Sequence, residues 1–327
     1  MDLSCAISSH LRKYSEFHID LNKFVKLSIA AFDFLAYMPN EANEQIDPKL
    51  PRNSNDLKPN RELSNLIADL IKGAGQRWYP TVYVNPHEEI EDIKMQLTES
   101  AIMRVYSAFE VFLDEINGSY SEYLVQRTEE DADSKSILNM FRKYGWPTKD
   151  ILYLLPLFKF YNNARHCIVH QMGVANQSLI DISESDEYVE ALNNWPTVIP
   201  GGQLSQPPKV KKDEKLVLEP HHAITYSDVC YRIVCEINKH LINMLGAEYI
   251  VKYVAVHQIM KADKLKSPAC RDSYSYIKRI LAEEYKIKNV CFSELRMALE
   301  NAGIRRKCYQ KYNGLLIKYN SNKRGQQ

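Results

Sequence analysis

The stretch Tyr161-Asn162-Asn163-Ala164-Arg165-His166-Cys167-Ile168-Val169-His170-Gln171 follows a strongly apolar run, Ile151 to Phe160. Leu154, Phe158, Tyr161, Ala164 and Ile168 recur at steps of three and four residues, which predicts a helix with one face in a core. One Arg, two His and two Asn decorate the flank of that face. A guanidinium brought near a core is costly unless an anion meets it, so Arg165 requires a structural carboxylate or a ligand phosphate. At about 100° per residue His166 and His170 lie one above the other, while Arg165 is roughly 140° from His170. Its long side chain must reach round, or a second copy of the helix must supply the rest across a shared cleft. The plain alternative is a helix-end histidine and a core-edge Arg held in an ion pair.

Working outward, 327 residues with 45% hydrophobic content suffice for one large or two modest domains. Eleven Gly against 21 Tyr suggest few tight turns and many amphipathic helices. The seven Cys (Cys5, Cys167, Cys230, Cys235, Cys270, Cys291, Cys308) are odd in number and lack the spacing of disulfide frameworks or zinc knuckles. With no charged-then-apolar leader and no 18-residue apolar run, the expectation is a soluble, cytoplasmic protein with no membrane contact. The net charge of +1 hides an asymmetry: residues 261–327 carry 16 Lys/Arg against 6 Asp/Glu, a net of +10 that leaves −9 for residues 1–260. Such a split points to a polyanionic partner for the tail or to its docking on the body.

The elements expected from end to end are helical. Leu11, Tyr14, Phe17, Leu21, Phe24, Ser28, Phe32 and Leu35 mark a long amphipathic helix. A Pro-rich loop over 39–59, a helix over 61–74 and a short extended piece over 78–84 follow. Pro86 opens a helix carried by Ile90, Ile93, Leu97, Ala101, Val105, Phe109 and Ile116, with a break near Gly118. Ser136–Tyr144 is another helix, and Thr148/Asp150 offer N-caps to the motif helix. Residues 172–218, rich in Pro and Gly, read as a long irregular insertion. His221 and His222 read as loop residues ahead of a helix built on Val229, Ile233, Ile237 and Leu241. Beyond 260, three short helices compose a small basic module, compatible with a helix-turn-helix-like arrangement around Gly303. There Arg305, Arg306, Lys307 and Lys311, interleaved with Tyr309 and Tyr312, suit RNA backbone and bases.

Arg-polar-x-x-x-His near the end of a buried helix resembles the motif of HEPN domains, the all-helical "higher eukaryotes and prokaryotes nucleotide-binding" superfamily. Many of its members are metal-independent ribonucleases. The matching residues are Arg165, His166 and His170. Upstream, Tyr106-Ser107-Ala108-Phe109-Glu110-Val111-Phe112-Leu113 resembles the aromatic-rich, Glu-bearing helix that packs beside the motif helix in that family. The resemblance implies an all-α HEPN-like domain over 1–260, with its core about 86–245 and an N-terminal helical extension over 1–85, followed by the module 261–327. It implies a homodimer whose motif helices face each other, and an endoribonuclease that needs no cofactor or metal and works through attack by the ribose 2′-hydroxyl. Arg165 would hold the scissile phosphate, His170 would move the proton, and His166 would orient the phosphate or share the proton work. Asn162, Asn163 and Glu110 are supporting candidates. A toxin-like or antiviral defence role follows from the same resemblance, with an antitoxin or defence-system protein as partner.

Other chemistries fit less well. Gly118-Ser119 with Asp131-Ala132-Asp133 looks outwardly like a nucleotidyltransferase signature, but no strand pattern accompanies it. His166 and His170 have metal-ligand spacing, yet no Glu follows the first His and no third ligand is evident. Two rivals stay open: a non-catalytic HEPN-like scaffold that binds RNA, nucleotide or protein, and a nucleic-acid-binding regulator led by residues 261–327.

Overall fold

A computed structural model describes residues 2–37, 86–120, 137–198, 208, 210–265 and 270–324. Among the described residues the fold is all-helical: α1 (Ser9–Tyr37), α2 (Pro86–Tyr120), α3 (Ile137–Tyr144), α4 (Leu155–Gln171), α5 (Gln177–Ser183), α6 (Asp186–Val198), α7 (Pro220–Ala255), α8 (Ser273–Glu284), α9 (Phe292–Asn301) and α10 (Arg305–Arg324). The one strand-like feature among them is an isolated antiparallel pairing of Val174 with Lys215. Two compact units emerge, one of His18–Ser107 and Leu154–Cys230, the other of Met1–Phe17, Ala108–Tyr153 and Tyr231–Gln327. Helices α1, α2 and α7 contribute residues to both.

In the first unit α4 is the central element. Leu157, Phe160, Tyr161, Ala164 and Cys167 are buried, and complete burial of a large apolar side chain stabilises by about 1.5–3 kcal/mol. Phe160 stacks on Tyr188 of α6 at 4.8 Å, and Tyr161 on Tyr226 of α7 at 5.2 Å. Leu179 and Ile180 of α5 are buried as well. The helix is oriented by Leu157, Phe160 and Cys167 more than by Phe158 and Ile168, which are half-buried. It also starts later than Thr148/Asp150. Residues Thr148–Asp150 form a separate single 3₁₀ turn, and α4 opens at Leu155 with Pro156 in its first turn. A proline is accommodated there, whereas deeper in a helix its ring meets the carbonyl four residues back.

Part of the segment after the motif helix, residues 177–198, is helical where an irregular insertion was expected. Asn176 caps α5 by accepting from the Leu179 N–H at 2.9 Å, and α5 and α6 both pack on α4. The chain then returns alongside itself: Ala175 N–H donates to Glu214 O, and Leu216 N–H to Gly173 O. The described residues between 172 and 218 therefore hold two helices and a pinned return, because Leu179, Ile180, Tyr188 and Ala191 find an apolar surface on α4. His221 and His222 likewise lie in the first turn of α7 rather than in a loop. On α1, Val25 is buried and Phe24 exposed, with Arg104 placed 5.8 Å over the Phe24 ring.

The second unit is assembled from distant parts of the chain. Ser8 caps α1 by accepting from Leu11 N–H. Its own N–H donates to Asn238 Oδ1 at 2.8 Å, and Asn238 Nδ2 donates to Ala6 O at 3.0 Å. Tyr14 meets Phe109 and Phe112 edge-on. Helix α2 continues through Gly118 to Tyr120. Helix α7 bends at Gly246, whose φ of 70° and ψ of 168° suit glycine alone. One apolar core joins Ala6, Val251, Val254 and Ile259 to Tyr276, Ile280, Leu295, Leu299, Cys308 and Tyr312. The helices beyond 260 thus share a core with residues 242–259. Tyr312 closes it by accepting from Cys270 N–H and donating to Cys270 O. The expected helix over 61–74, the extended piece over 78–84 and the Asp131/Asp133 pair lie outside the described residues.

Candidate functional site

Helix α4 ends one residue after His170. Met172 adopts the left-handed conformation (φ 52°) and Gly173 follows at φ 80°, with the N–H groups of both donating to Cys167 O. A C-terminal turn of this kind satisfies carbonyls the helix leaves open and stops the chain, so the motif sits at a helix end and not mid-span.

Within that last stretch the residues divide by exposure. Cys167 is fully buried, and burial pushes its thiol pKa up, which removes it as a nucleophile at neutral pH. His166 and His170 are exposed, their ring centroids 4.6 Å apart. Arg165 is half-buried, its guanidinium 4.1 Å over the ring of Tyr106 on α2. A cation over an aromatic face is held there by the ring's negative face. Among the described residues no carboxylate pairs with it, so the ion pair of the plain alternative is not formed there. Tyr106 is the residue that sequence reasoning quoted without assigning it a role. Its signal is the aromatic-rich run on α2.

The supporting candidates separate. Asn163 Nδ2 donates to Lys159 O, and its Oδ1 accepts from Ser178 Oγ at 3.3 Å, a tie between α4 and α5. Asn162 is half-buried on the same helix. Glu110 is half-buried on α2, within the other compact unit. A carboxylate that the sequence reading passed over, Glu99, lies close to the turn after the motif. A Cβ on Gly173 would stand 3.4 Å from its Oε1 and 3.7 Å from Lys215. Burial raises the pKa of Glu99, and Lys215 partly offsets this. No local pattern flags Glu99, because Gly173 and Lys215 reach it only through the return of the chain.

A second histidine constellation invites comparison with a hydrolase triad. His18 Nδ1 is 2.8 Å from Ser227 Oγ, and its Nε2 is 3.4 Å from Asp228. Ser227 is completely buried, so no substrate reaches the hydroxyl, and the group is a structural network.

On α10, Arg305 is committed: Nε donates to Tyr274 Oη at 2.8 Å, and Nη1 pairs with Glu300. Arg306, Lys307 and Lys311 are exposed. Lys307, Lys311 and Lys318 fall within about 40° of one another at 100° per residue, a cationic stripe about 90° round the helix from the buried Cys308, Tyr312 and Leu315. No described helix is long and apolar enough to cross a membrane. Set against protein-family models, curated proteins and solved structures, the chain matches none.

Proposed function

We propose that this protein is a HEPN-type, metal-independent endoribonuclease whose active groups are Arg165, His166 and His170. The observation that carries the reading is the end of α4. There a guanidinium without a carboxylate partner among the described residues rests on Tyr106, and the same last turns of the helix carry two exposed imidazoles 4.6 Å apart. A planar fork of donors with no internal anion is suited to a phosphodiester. Imidazole is the side chain that gives and takes protons near neutral pH.

In this mechanism Arg165 holds the non-bridging oxygens of the scissile phosphate and stabilises the charge that builds in the transition state. His170 takes the proton of the ribose 2′-hydroxyl, whose oxygen attacks phosphorus. The bond from phosphorus to the 5′-oxygen breaks, and that oxygen leaves with a proton from an imidazolium, His166 or a histidine of a second copy. The products carry a 2′,3′-cyclic phosphate and a 5′-hydroxyl. A homodimer with the two α4 ends facing is supported by exposed Val169 and Met172, the latter 90% exposed, beside the histidines. The stripe on α10 adds a sequence-independent phosphate surface. A toxin or antiviral defence role, with a cognate antitoxin or defence-system partner in the cytoplasm, is the setting in which such an RNase acts.

Purified protein incubated with total RNA should cut it equally with and without EDTA. Arg165→Ala and His170→Ala should lower the rate by at least about a hundredfold with unchanged circular dichroism. A His170→Ala protein that cuts at the wild-type rate removes the residue from the mechanism. Intact RNA with wild-type protein favours the non-catalytic scaffold.

A further inference from the structure

We propose that Asp150, Glu236 and His240 form a binding site for one divalent first-row transition cation, none of the three belonging to the α4 motif. The three are brought together within a single unit. Glu236 and His240 stand one helical turn apart on α7, the spacing at which two side chains of a helix share a ligand. Asp150 closes the group from the 3₁₀ turn Thr148–Asp150. Their donor atoms all lie within 4.8 Å of one another, which a small rotation of a carboxylate brings to coordination distance.

The relation between His240 and Asp150 separates a ligand pair from an ordinary ion pair. His240 Nε2 is 3.2 Å from Asp150 Oδ2, yet the oxygen lies off the ring's N–H direction and no hydrogen bond joins them. The nitrogen is itself buried and otherwise without a hydrogen-bond partner. Leaving such an atom unsatisfied costs about 1–3 kcal/mol. Two donors that approach each other without pointing at each other can share a third atom. Ligands about 2.0–2.2 Å from one ion stand about 2.9–3.5 Å apart at tetrahedral or octahedral angles, and 3.2 Å falls in that range.

The surroundings hold the imidazole in place. Trp146 stacks on His240 at 5.7 Å and 19°, and Phe141 meets it edge-on at 5.6 Å. The His240 side chain is 11% exposed, whereas Asp150 and Glu236 are 24% and 25% exposed. The solvent side of the group therefore lies with the carboxylates. Three protein donors leave at least one position there for water, the donor count of an open site and not of a closed structural one. Glu236 also accepts from Lys239 at 3.0 Å. A carboxylate accepts at both oxygens, so that pairing and a bound cation are compatible. One imidazole with two carboxylates selects a borderline cation such as zinc, manganese or cobalt over magnesium, which keeps to oxygen donors and water.

The test uses chelator-stripped full-length protein titrated with CoCl₂, read by visible absorption, and with ZnCl₂ or MgCl₂, read by calorimetry. One cobalt per chain is expected, displaced by zinc and not by magnesium. Asp150→Asn, Glu236→Gln and His240→Ala should each weaken it at least about tenfold, while His166→Ala/His170→Ala binds as wild type. Circular dichroism verifies the fold of each variant, and Asp150→Asn and Glu236→Gln preserve side-chain volume should His240→Ala unfold. No saturable cobalt or zinc uptake by the wild type, or wild-type affinity in the folded Asn and Gln variants, overturns the site. Neither result bears on the proposed RNA cleavage, which is read with EDTA present.

Discussion

Replacing Tyr106 by Leu removes the aromatic face on which Arg165 rests while leaving the guanidinium and both histidines in place. The ring lies 4.1 Å from the guanidinium carbon, and both side chains are half-buried. A cation over an aromatic face in a partly exposed setting is worth about 0.5–1 kcal/mol. If that energy positions Arg165 for the scissile phosphate, its loss appears in kcat/KM as a fall of about two- to fivefold, since 1.36 kcal/mol is tenfold. Tyr106→Phe keeps the ring and should stay within twofold of wild type, about the scatter allowed for the lost hydroxyl. Arg165→Lys should lose more than Tyr106→Leu, because an ammonium neither stacks as a plane nor grips a phosphate with two donors. The assay is initial-rate cleavage of a fluorescent RNA oligonucleotide in EDTA, with thermal melts to verify folding. Equal rates for wild type and Tyr106→Leu, with Arg165→Ala inactive, would refute the positioning role.

Two further expectations concern stability. Asn238→Ala strands the N–H of buried Ser8 and the C=O of buried Ala6; at about 1–3 kcal/mol per orphaned group, urea unfolding should show a loss of about 2–6 kcal/mol, and a change under about 0.5 kcal/mol would contradict the clamp. Burial holds the imidazole of His10 below its ordinary pKa of 6.5, with Glu115 opposing and Lys13 adding to the shift; Ser119 Oγ lies 3.3 Å from its Nε2. The folded state therefore binds fewer protons than the unfolded chain between 6.5 and that lowered value, so this contribution is complete above pH 6.5 and is lost as pH falls. The urea midpoint of His10→Asn should depend less on pH between neutrality and mild acid than that of wild type, and an identical pH dependence would exclude His10 as a source.

The local grammar of the chain was readable wherever apolar spacing dominated. Leu295 and Leu299 before Gly303, or Cys308, Tyr312 and Leu315 after it, mark α9 and α10 without any tertiary information, and the structure buries those residues. The same reasoning failed over 177–198, which holds two helices in place of the expected irregular insertion, while 210–218 is irregular as expected. Short helices such as α5 gain their stability from the surface they cover and not from their own propensity. That surface belongs to α4 and is invisible locally.

The sequence by itself determined that the described chain is helical and that His166 and His170 share a face near the end of α4 with Arg165 roughly 140° round from His170, because i, i+4 and i, i+5 spacings convert directly into angles on a helix. Tertiary structure alone decided that Tyr106 carries Arg165, that Glu99 sits by Gly173, and that Asp150 meets Glu236 and His240. It also decided that the helices after 260 share a core with Ala6 and residues 242–259. The physical reason is that periodicity fixes which way a side chain points from its own axis, while partners tens or hundreds of residues away are chosen by how the buried faces of separate helices close-pack.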